Sequence, residues 1–190
     1  WFDRGLTWIY GFNHDEAIIC FNKAIEADPS CVMAYWGVAY AIGPNYNKIW
    51  DMFEPAERVS TLETAHQAIS NGLALEVGTD VERQLLIALK SRYPADADTE
   101  DFGPFNDGFV EALRPIYLSN PEDLDVVSLF AESLMGRTPW QLWNVSTGQP
   151  QSGASTIEAR EVLETAFENH PAAWRHPGLL HMYIHLMEMS

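Results

Sequence analysis

The chain has 190 residues, 47% hydrophobic and 20% charged, which is the composition of a folded protein and excludes a disordered one. Its formal net charge of −16, from 27 acidic and 11 basic residues, excludes nucleic acid and anionic membranes as expected partners. The two cysteines lack a CxxC spacing, no apolar run is long enough for a membrane helix and no signal peptide opens the chain, so we expect a cytoplasmic protein.

The first thirty residues predict two antiparallel helices, over residues 1–10 and 15–27. Small residues such as Gly5 and Ala17 let two helix axes approach, while Phe21 fills the space between them. Pro29 ends the second helix because proline lacks the backbone N–H that a helix interior requires. All but one position of the tetratricopeptide-repeat (TPR) signature match, the exception being Arg4; the matching residues are Trp1, Gly5, Trp8, Ala17, Phe21, Ala24 and Pro29.

The spacing of the second helix returns three times further along the chain. Its anchor residues are Ala65, Ile69 and Gly72, then Phe109, Leu113 and Ile116, and finally Ala159, Leu163 and Ala166. The first return comes late, so residues 43–60 are predicted to be an insertion. A further helix is predicted over residues 80–93, and long loops over 94–104 and 137–156. Loops of this length inside a compact array are often functional.

No segment alternates strongly enough to be a strand, so the predicted fold is all-α. It is an array of antiparallel helix pairs over residues 1–190. The chain opens on Trp1 and its last residues are predicted to be helical, so we expect a piece of a longer chain whose remainder is a partner. The predicted repeat units cover residues 1–30, 31–75, 105–135 and 157–190.

The chain resembles TPR proteins over nearly its whole length. More narrowly, it resembles a group of longer bacterial and fungal TPR proteins, through the segments GFNHDEAI, AYWGVAYAIGPNYN, LFAESLM, PWQLW and HPGLLHMYIH. The final motif of that group reads closer to HPGANHYYIHAVE, from which Leu179, Leu180 and Met182 depart. The resemblance implies a superhelical array of helix pairs and no particular activity.

The last fifteen residues, HPGLLHMYIHLMEMS, contain three of the six histidines of the chain and are the main candidates for a metal site. On a helix, His181, His185 and Glu188 fall within an arc of about 60° and share one face. His176 lies at the predicted helix cap, from which it is free to bend toward that face. Two imidazoles and a carboxylate suit a divalent transition metal such as Zn, Cu or Fe. The alternative is a polar network in which the histidines bond Tyr183, backbone carbonyls or neighbouring acids.

Further candidate residues follow from the repeat register. Glu132 is an acid on an apolar helix, where it is a candidate fourth ligand, outer partner of the metal or general base. The alternative for Glu132 is a salt bridge to Arg137 or contact with solvent. Tyr183 is the second candidate for moving protons during catalysis.

Aromatic residues are candidates for walls of a groove or pocket. Trp36 and Tyr40 take positions that face the concave groove of a TPR array, and Trp140 and Trp143 lie on a predicted loop. At helical spacing, core packing is the alternative for such residues.

Two functions remain open from the sequence, beside a purely structural role in which the array packs against the remainder of a longer chain. One is a metal-binding protein or metal-dependent enzyme acting on a small organic substrate. The other is a non-catalytic scaffold that binds a peptide or protein in the groove. Because the chain is acidic, that peptide would have to be cationic or apolar.

Overall fold

The computed structural model describes residues 1–190 and contains nine α-helices, two 3-10 turns and one two-stranded antiparallel ribbon, which confirms the all-α fold class. None of the helices combines the length and the apolar character needed to cross a lipid bilayer. The helices are α1 (Phe2–Tyr10), α2 (His14–Ala27), α3 (Val32–Ile42), α4 (Pro55–Ala74), α5 (Asp80–Arg92), α6 (Gly103–Ser119), α7 (Leu124–Met135), α8 (Thr156–Asn169) and α9 (Pro177–Met187). The strands are β1 (Trp143–Asn144) and β2 (Gln149–Pro150), and the 3-10 turns are Trp50–Met52 and Ala173–Arg175.

The chain divides into two compact units, Trp1–Ala112 and Leu113–Ser190. In the first unit α1, α2 and α3 pack on one another, α3 packs on α4, and α5 contacts both α3 and α4. In the second unit α7, α8 and α9 pack on one another. Consecutive helices from α1 to α5, and from α7 to α9, are therefore neighbours in space.

Phe21 on α2 is the wedge between the first three helices. Its side chain is fully buried. A Cβ atom added at Gly5 on α1 would lie 2.7 Å from Cε1 of Phe21, and one added at Gly37 on α3 would lie 2.6 Å from the same ring. The predicted role of Gly5 and Phe21 is thus confirmed, because only a residue without a side chain fits at this distance.

The helix ends agree with the capping residues that the sequence offers. The Asn13 side chain accepts a hydrogen bond from the Glu16 N–H at 3.4 Å and caps the start of α2. Pro29, Pro121 and Pro171 lie two residues beyond the ends of α2, α6 and α8. These prolines cannot continue a helix, so each marks a boundary that the repeat spacing predicts.

The predicted insertion is a folded part of the core. Its last six residues, 55–60, are helical and begin α4. The preceding segment contributes large aromatic side chains with almost no exposed surface, namely Tyr46, Trp50 and Phe53. The ring of Trp50 stacks on Phe102 with centroids 5.2 Å apart. Burial of these rings anchors the segment to the first unit.

Arg92 and Tyr93, at the end of α5, satisfy carbonyl groups at the end of α3. The Arg92 guanidinium donates to the Pro44 carbonyl, and less closely to that of Tyr40 at 3.5 Å, while the Tyr93 hydroxyl donates to the Ala39 carbonyl. The guanidinium also lies 4.4 Å from the ring centroid of Tyr40. A helix C-terminus leaves carbonyls without partners and attracts cations, which explains why a buried arginine is tolerated here.

The long predicted loop 137–156 carries the β1–β2 ribbon and is tied to its own unit. Trp143 pairs with Pro150 across the ribbon. The indole Nε1 of Trp143 donates to the Leu186 carbonyl on α9 at 2.5 Å. Arg137, near the start of the loop, donates to the Ser155 hydroxyl at 2.7 Å. Both ends of the loop are therefore anchored.

Candidate functional site

His176 is the residue on which α9 begins. Its Nδ1 accepts a hydrogen bond from the Leu179 N–H at 3.2 Å, and its Nε2 lies 3.0 Å from Oδ1 of Asp125. An Nδ1 that accepts carries no proton, so Nε2 is the protonated nitrogen and donates to Asp125. These two contacts use both ring nitrogens. Binding of a metal ion by His176 would require one of them to break.

His181 and His185 lie one turn apart on α9, and the structure brings their rings together. The ring centroids are 4.7 Å apart and the ring planes are inclined by 32°. The His185 side chain is 15% exposed, so it reaches solvent while most of it is shielded. The pair therefore places two imidazoles side by side on a half-buried face of α9.

Glu188 completes the face that the spacing predicts, through a contact with His185. Its Oε1 lies 3.1 Å from Nδ1 of His185, and its side chain is 41% exposed. A carboxylate bound to one imidazole nitrogen fixes the ring so that the other nitrogen points at a metal. In this geometry Glu188 orients the ring of His185.

Tyr183 does not join this face. Its hydroxyl donates to Oε1 of Glu164 on α8 at 3.1 Å. Burial raises the pKa of Tyr183, and the hydrogen bond to Glu164 also raises it. The hydroxyl is therefore kept protonated, and it lies on a different side of α9 from His181 and His185.

Glu132 lies on α7, one of the two helices that pack against α9. The residue is only 9% exposed, among a run of buried residues from Val126 to Met135. Burial of a carboxylate is costly unless the charge has partners. Arg137, the predicted ion-pair partner of Glu132, donates a hydrogen bond to the Ser155 hydroxyl at 2.7 Å. Glu132 remains a candidate because its helix is in contact with the histidine helix.

The four aromatic candidates are split between the two units. Trp36 and Tyr40 are 4% and 1% exposed and stack on each other in the core of the first unit, with centroids 5.0 Å apart. Trp143 is also buried, against α9. Trp140 is 40% exposed and has a φ of 58°, a backbone conformation that bulky residues seldom adopt. Of the four, Trp140 is the one whose ring is open to a ligand.

Two contacts of the histidine helix were not visible in the sequence. The Asp125–His176 bond joins residues 51 apart, and the Trp143–Leu186 bond joins residues 43 apart. No local spacing predicts such pairs. The only signal was that Asp125 lies in the first turn of an apolar helix and that Trp143 lies on a loop rich in Gly and Pro.

Comparison with models of protein families, with curated proteins and with solved structures gives no match to this chain. Within the structure, no group of three or more His, Cys, Asp or Glu side chains is arranged to hold a metal ion. The two adjacent imidazoles of α9 are therefore the feature on which a function can be proposed.

Proposed function

We propose that this chain is an array of TPR-like helix pairs whose last helix binds a transition-metal ion of the Zn, Cu or Fe class. The observation that carries the proposal is the pair of adjacent, tilted imidazoles of His181 and His185, with Nδ1 of His185 held 3.1 Å from Glu188. Histidine is the commonest metal ligand in proteins, and a carboxylate behind it is the usual arrangement around a bound ion.

The repeat part of the proposal draws on the packing of consecutive helices. The pairs α1–α2, α3–α4 and α7–α8 each pack closely. Phe21 between Gly5 and Gly37 occupies the place that the TPR signature gives to a large residue between small ones. The position of α9 after α7 and α8 then corresponds to the first helix of the next repeat.

The reactions open to the ion depend on how many protein side chains coordinate it. Two histidines leave coordination positions open to water, to substrate or to a further protein ligand such as Glu132. An open position lets a metal act as a Lewis acid or a redox centre on a small organic molecule. The exposed ring of Trp140 is the candidate wall for such a molecule.

A peptide-binding scaffold draws less support. Trp36 and Tyr40, two of the residues that the repeat register gives to the groove, are buried and stacked in the core. A side chain with almost no exposed surface contributes little to a peptide interface, because contact area is what such rings provide.

The test is the metal content of protein purified without a nickel column. We expect about one ion per chain in the wild type, and loss of that ion in His181→Ala/His185→Ala. The matched control is His66→Ala/His170→Ala, which also removes two imidazoles and should keep the metal. Circular dichroism checks that all three proteins are folded. A folded wild type that stays metal-free after incubation with zinc and copper salts would contradict the proposal.

A further inference from the structure

Helix α9 carries a second apolar stripe on the side turned away from the core. Its buried residues are Gly178, Leu179, Met182 and Leu186. The second stripe consists of Leu180, Tyr183, Ile184 and Met187. At about 100° per residue these four positions fall within an arc of about 100°. Ile184 is 63% exposed and the other three are half-buried. A helix of a globular protein usually has one apolar stripe, so an exposed second one is expected to contact a partner.

Trp174, in the 3-10 turn before α9, extends this stripe. Its indole Nε1 donates to the Phe167 carbonyl at 3.0 Å, and the two ring centroids are 4.7 Å apart. The Phe167 ring in turn lies 5.3 Å from that of Tyr183. Trp174 is nevertheless 60% exposed, so its ring is held in place and open to solvent, as an interface anchor requires. The α9 surface is the name used below for Trp174, Leu180, Tyr183, Ile184 and Met187.

A row of acidic residues on α8 borders the α9 surface. The row consists of Glu161, Glu164 and Glu168. Their spacing of three and four residues places them on one face of α8. Glu164 accepts a hydrogen bond from the Tyr183 hydroxyl at 3.1 Å, which fixes the row beside the apolar stripe. Glu161 and Glu168 are exposed, so their carboxylates are accessible to a cation from outside the chain.

Basic residues near the α9 surface offset only part of this charge. Arg160 lies 3.7 Å from Glu164, and Arg175 is exposed next to Trp174 in the chain. The second unit as a whole, residues 113–190, has nine acidic residues against four basic ones. A partner that covers the apolar stripe and also carries positive charge is therefore complementary to this part of the molecule.

We propose that the α9 surface binds an amphipathic helix of a partner protein, with an apolar stripe flanked by lysine or arginine. A stripe spaced three and four residues apart accepts the side chains of a second helix in its grooves. The cationic flank would then face the acidic row of α8. A second copy of this chain fits less well, because each copy carries a net charge of −16.

This inference goes beyond the proposed metal site and does not depend on it. His181 and His185 lie outside the arc of the stripe by about 60° or more. The surface also uses neither of the groove residues Trp36 and Tyr40. Because five side chains cover less than a standard protein interface, we expect a transient complex with a Kd on the order of 10 μM.

The experiment is isothermal titration calorimetry of the full 190-residue chain with a synthetic peptide. The peptide has about 18 residues, with leucine at spacings of three and four and lysine elsewhere. One control has the same composition in scrambled order, which keeps the charge and removes the stripe. The other keeps the stripe and carries glutamate in place of lysine. We expect both controls to bind at least about tenfold more weakly, and salt to weaken binding of the lysine peptide.

Ile184→Ser tests whether α9 is the helix that binds. It removes an exposed apolar side chain from the middle of the α9 surface, so the fold should be kept, which circular dichroism checks. We expect the affinity for the lysine peptide to fall about tenfold. Ile87→Ser is the matched control, an isoleucine that is 52% exposed on α5, and should bind as tightly as the wild type.

Three results would overturn the inference. Equal binding of the lysine peptide by Ile184→Ser and Ile87→Ser would mean that α9 is not the docking helix. Equal binding of the glutamate peptide would remove the role of the acidic row. A wild type that sediments as a dimer, and a monomeric Ile184→Ser, would show that a second copy of the chain covers the surface.

Discussion

Helices α3 and α9 have the same length of 11 residues and similarly apolar sequences, yet the polar side chains next to them have different roles. In α3 most residues are buried, and the carbonyls at its end are satisfied by Arg92 and Tyr93. In α9 only Gly178, Leu179, Met182 and Leu186 are buried, and one half-exposed face carries two imidazoles. Polar groups around α3 complete the fold, whereas the two imidazoles of α9 lie on a partly exposed face, where we propose that an ion binds.

Among the substitutions that test this contrast, Arg92→Ala has the largest expected effect on stability. Removal of the buried guanidinium leaves the Pro44 carbonyl without its donor and exposes a gap between Tyr40 and Phe109. We expect the free energy of unfolding to fall by about 3 kcal/mol. Urea denaturation measures it. Arg83→Ala on the same helix, where the arginine bonds the Leu75 carbonyl at 2.7 Å but is half-exposed, should cost clearly less.

The next largest effect is expected in alkaline solution. Burial raises the pKa of Tyr93 to about 12 from 10.0. Because the raised pKa favours the protonated hydroxyl in the folded state, its stabilisation is complete below pH 10 and is lost as the pH rises toward 12. Unfolding curves across this range should show a decline that is smaller in Tyr93→Phe. An identical decline in both proteins would assign it to other groups.

Gly37→Ala tests the close approach of α2 and α3. The new Cβ would meet Cγ, Cδ1 and Cε1 of Phe21 at 2.6 Å, so the whole ring would have to move. Overpacking of this kind costs about 1–3 kcal/mol, measured as a shift in the urea midpoint. Gly11→Ala is the control, because its nearest contact would be an ordinary 3.6 Å.

Trp143→Phe tests whether the loop supports the histidine helix. The change keeps an aromatic ring but removes the donor to the Leu186 carbonyl, one residue after His185. We expect a loss of about 1 kcal/mol in unfolding free energy and faster hydrogen exchange at the end of α9. Trp140→Phe, at an exposed position of the same loop, should change neither quantity.

The smallest expected effect is that of Tyr183→Phe. It removes the hydrogen bond to Glu164 at an accessible position, which is worth about 0.5 kcal/mol. Since Tyr183 lies on another side of α9 from His181 and His185, metal content should be unchanged. A loss of metal comparable with that of the double histidine variant would mean that Tyr183 belongs to the site after all.

Sequence patterns predicted the helices whose ends depend on nearby residues. The predictions over residues 1–10, 15–27 and 80–93 agree with α1, α2 and α5 to within one residue at each end. Apolar spacing, caps such as Asn13 and Thr79, and breakers such as Pro29 are all local signals. The shared face of His181, His185 and Glu188 could be predicted for the same reason, since a helix fixes it.

Features that depend on distant residues could not be predicted. The insertion is ordered because Trp50 stacks on Phe102, a residue far along the chain. His176 is turned to Asp125 by the packing of α9 near the start of α7. The β1–β2 ribbon within the long loop has strands of two residues, which is too short for an alternation to be seen. In each case tertiary contact decided the outcome.

The Phe21 ring has a consequence for how the first unit unfolds. One side chain is enclosed by backbone from α1 and from α3 at once. Detaching either helix would expose the same large ring to water. The burial of Phe21 is therefore lost when the first of the two helices separates, and little then holds the other in place. Helices α1 to α3 therefore behave as one cooperative block, in which opening at the amino terminus is coupled to opening at Gly37.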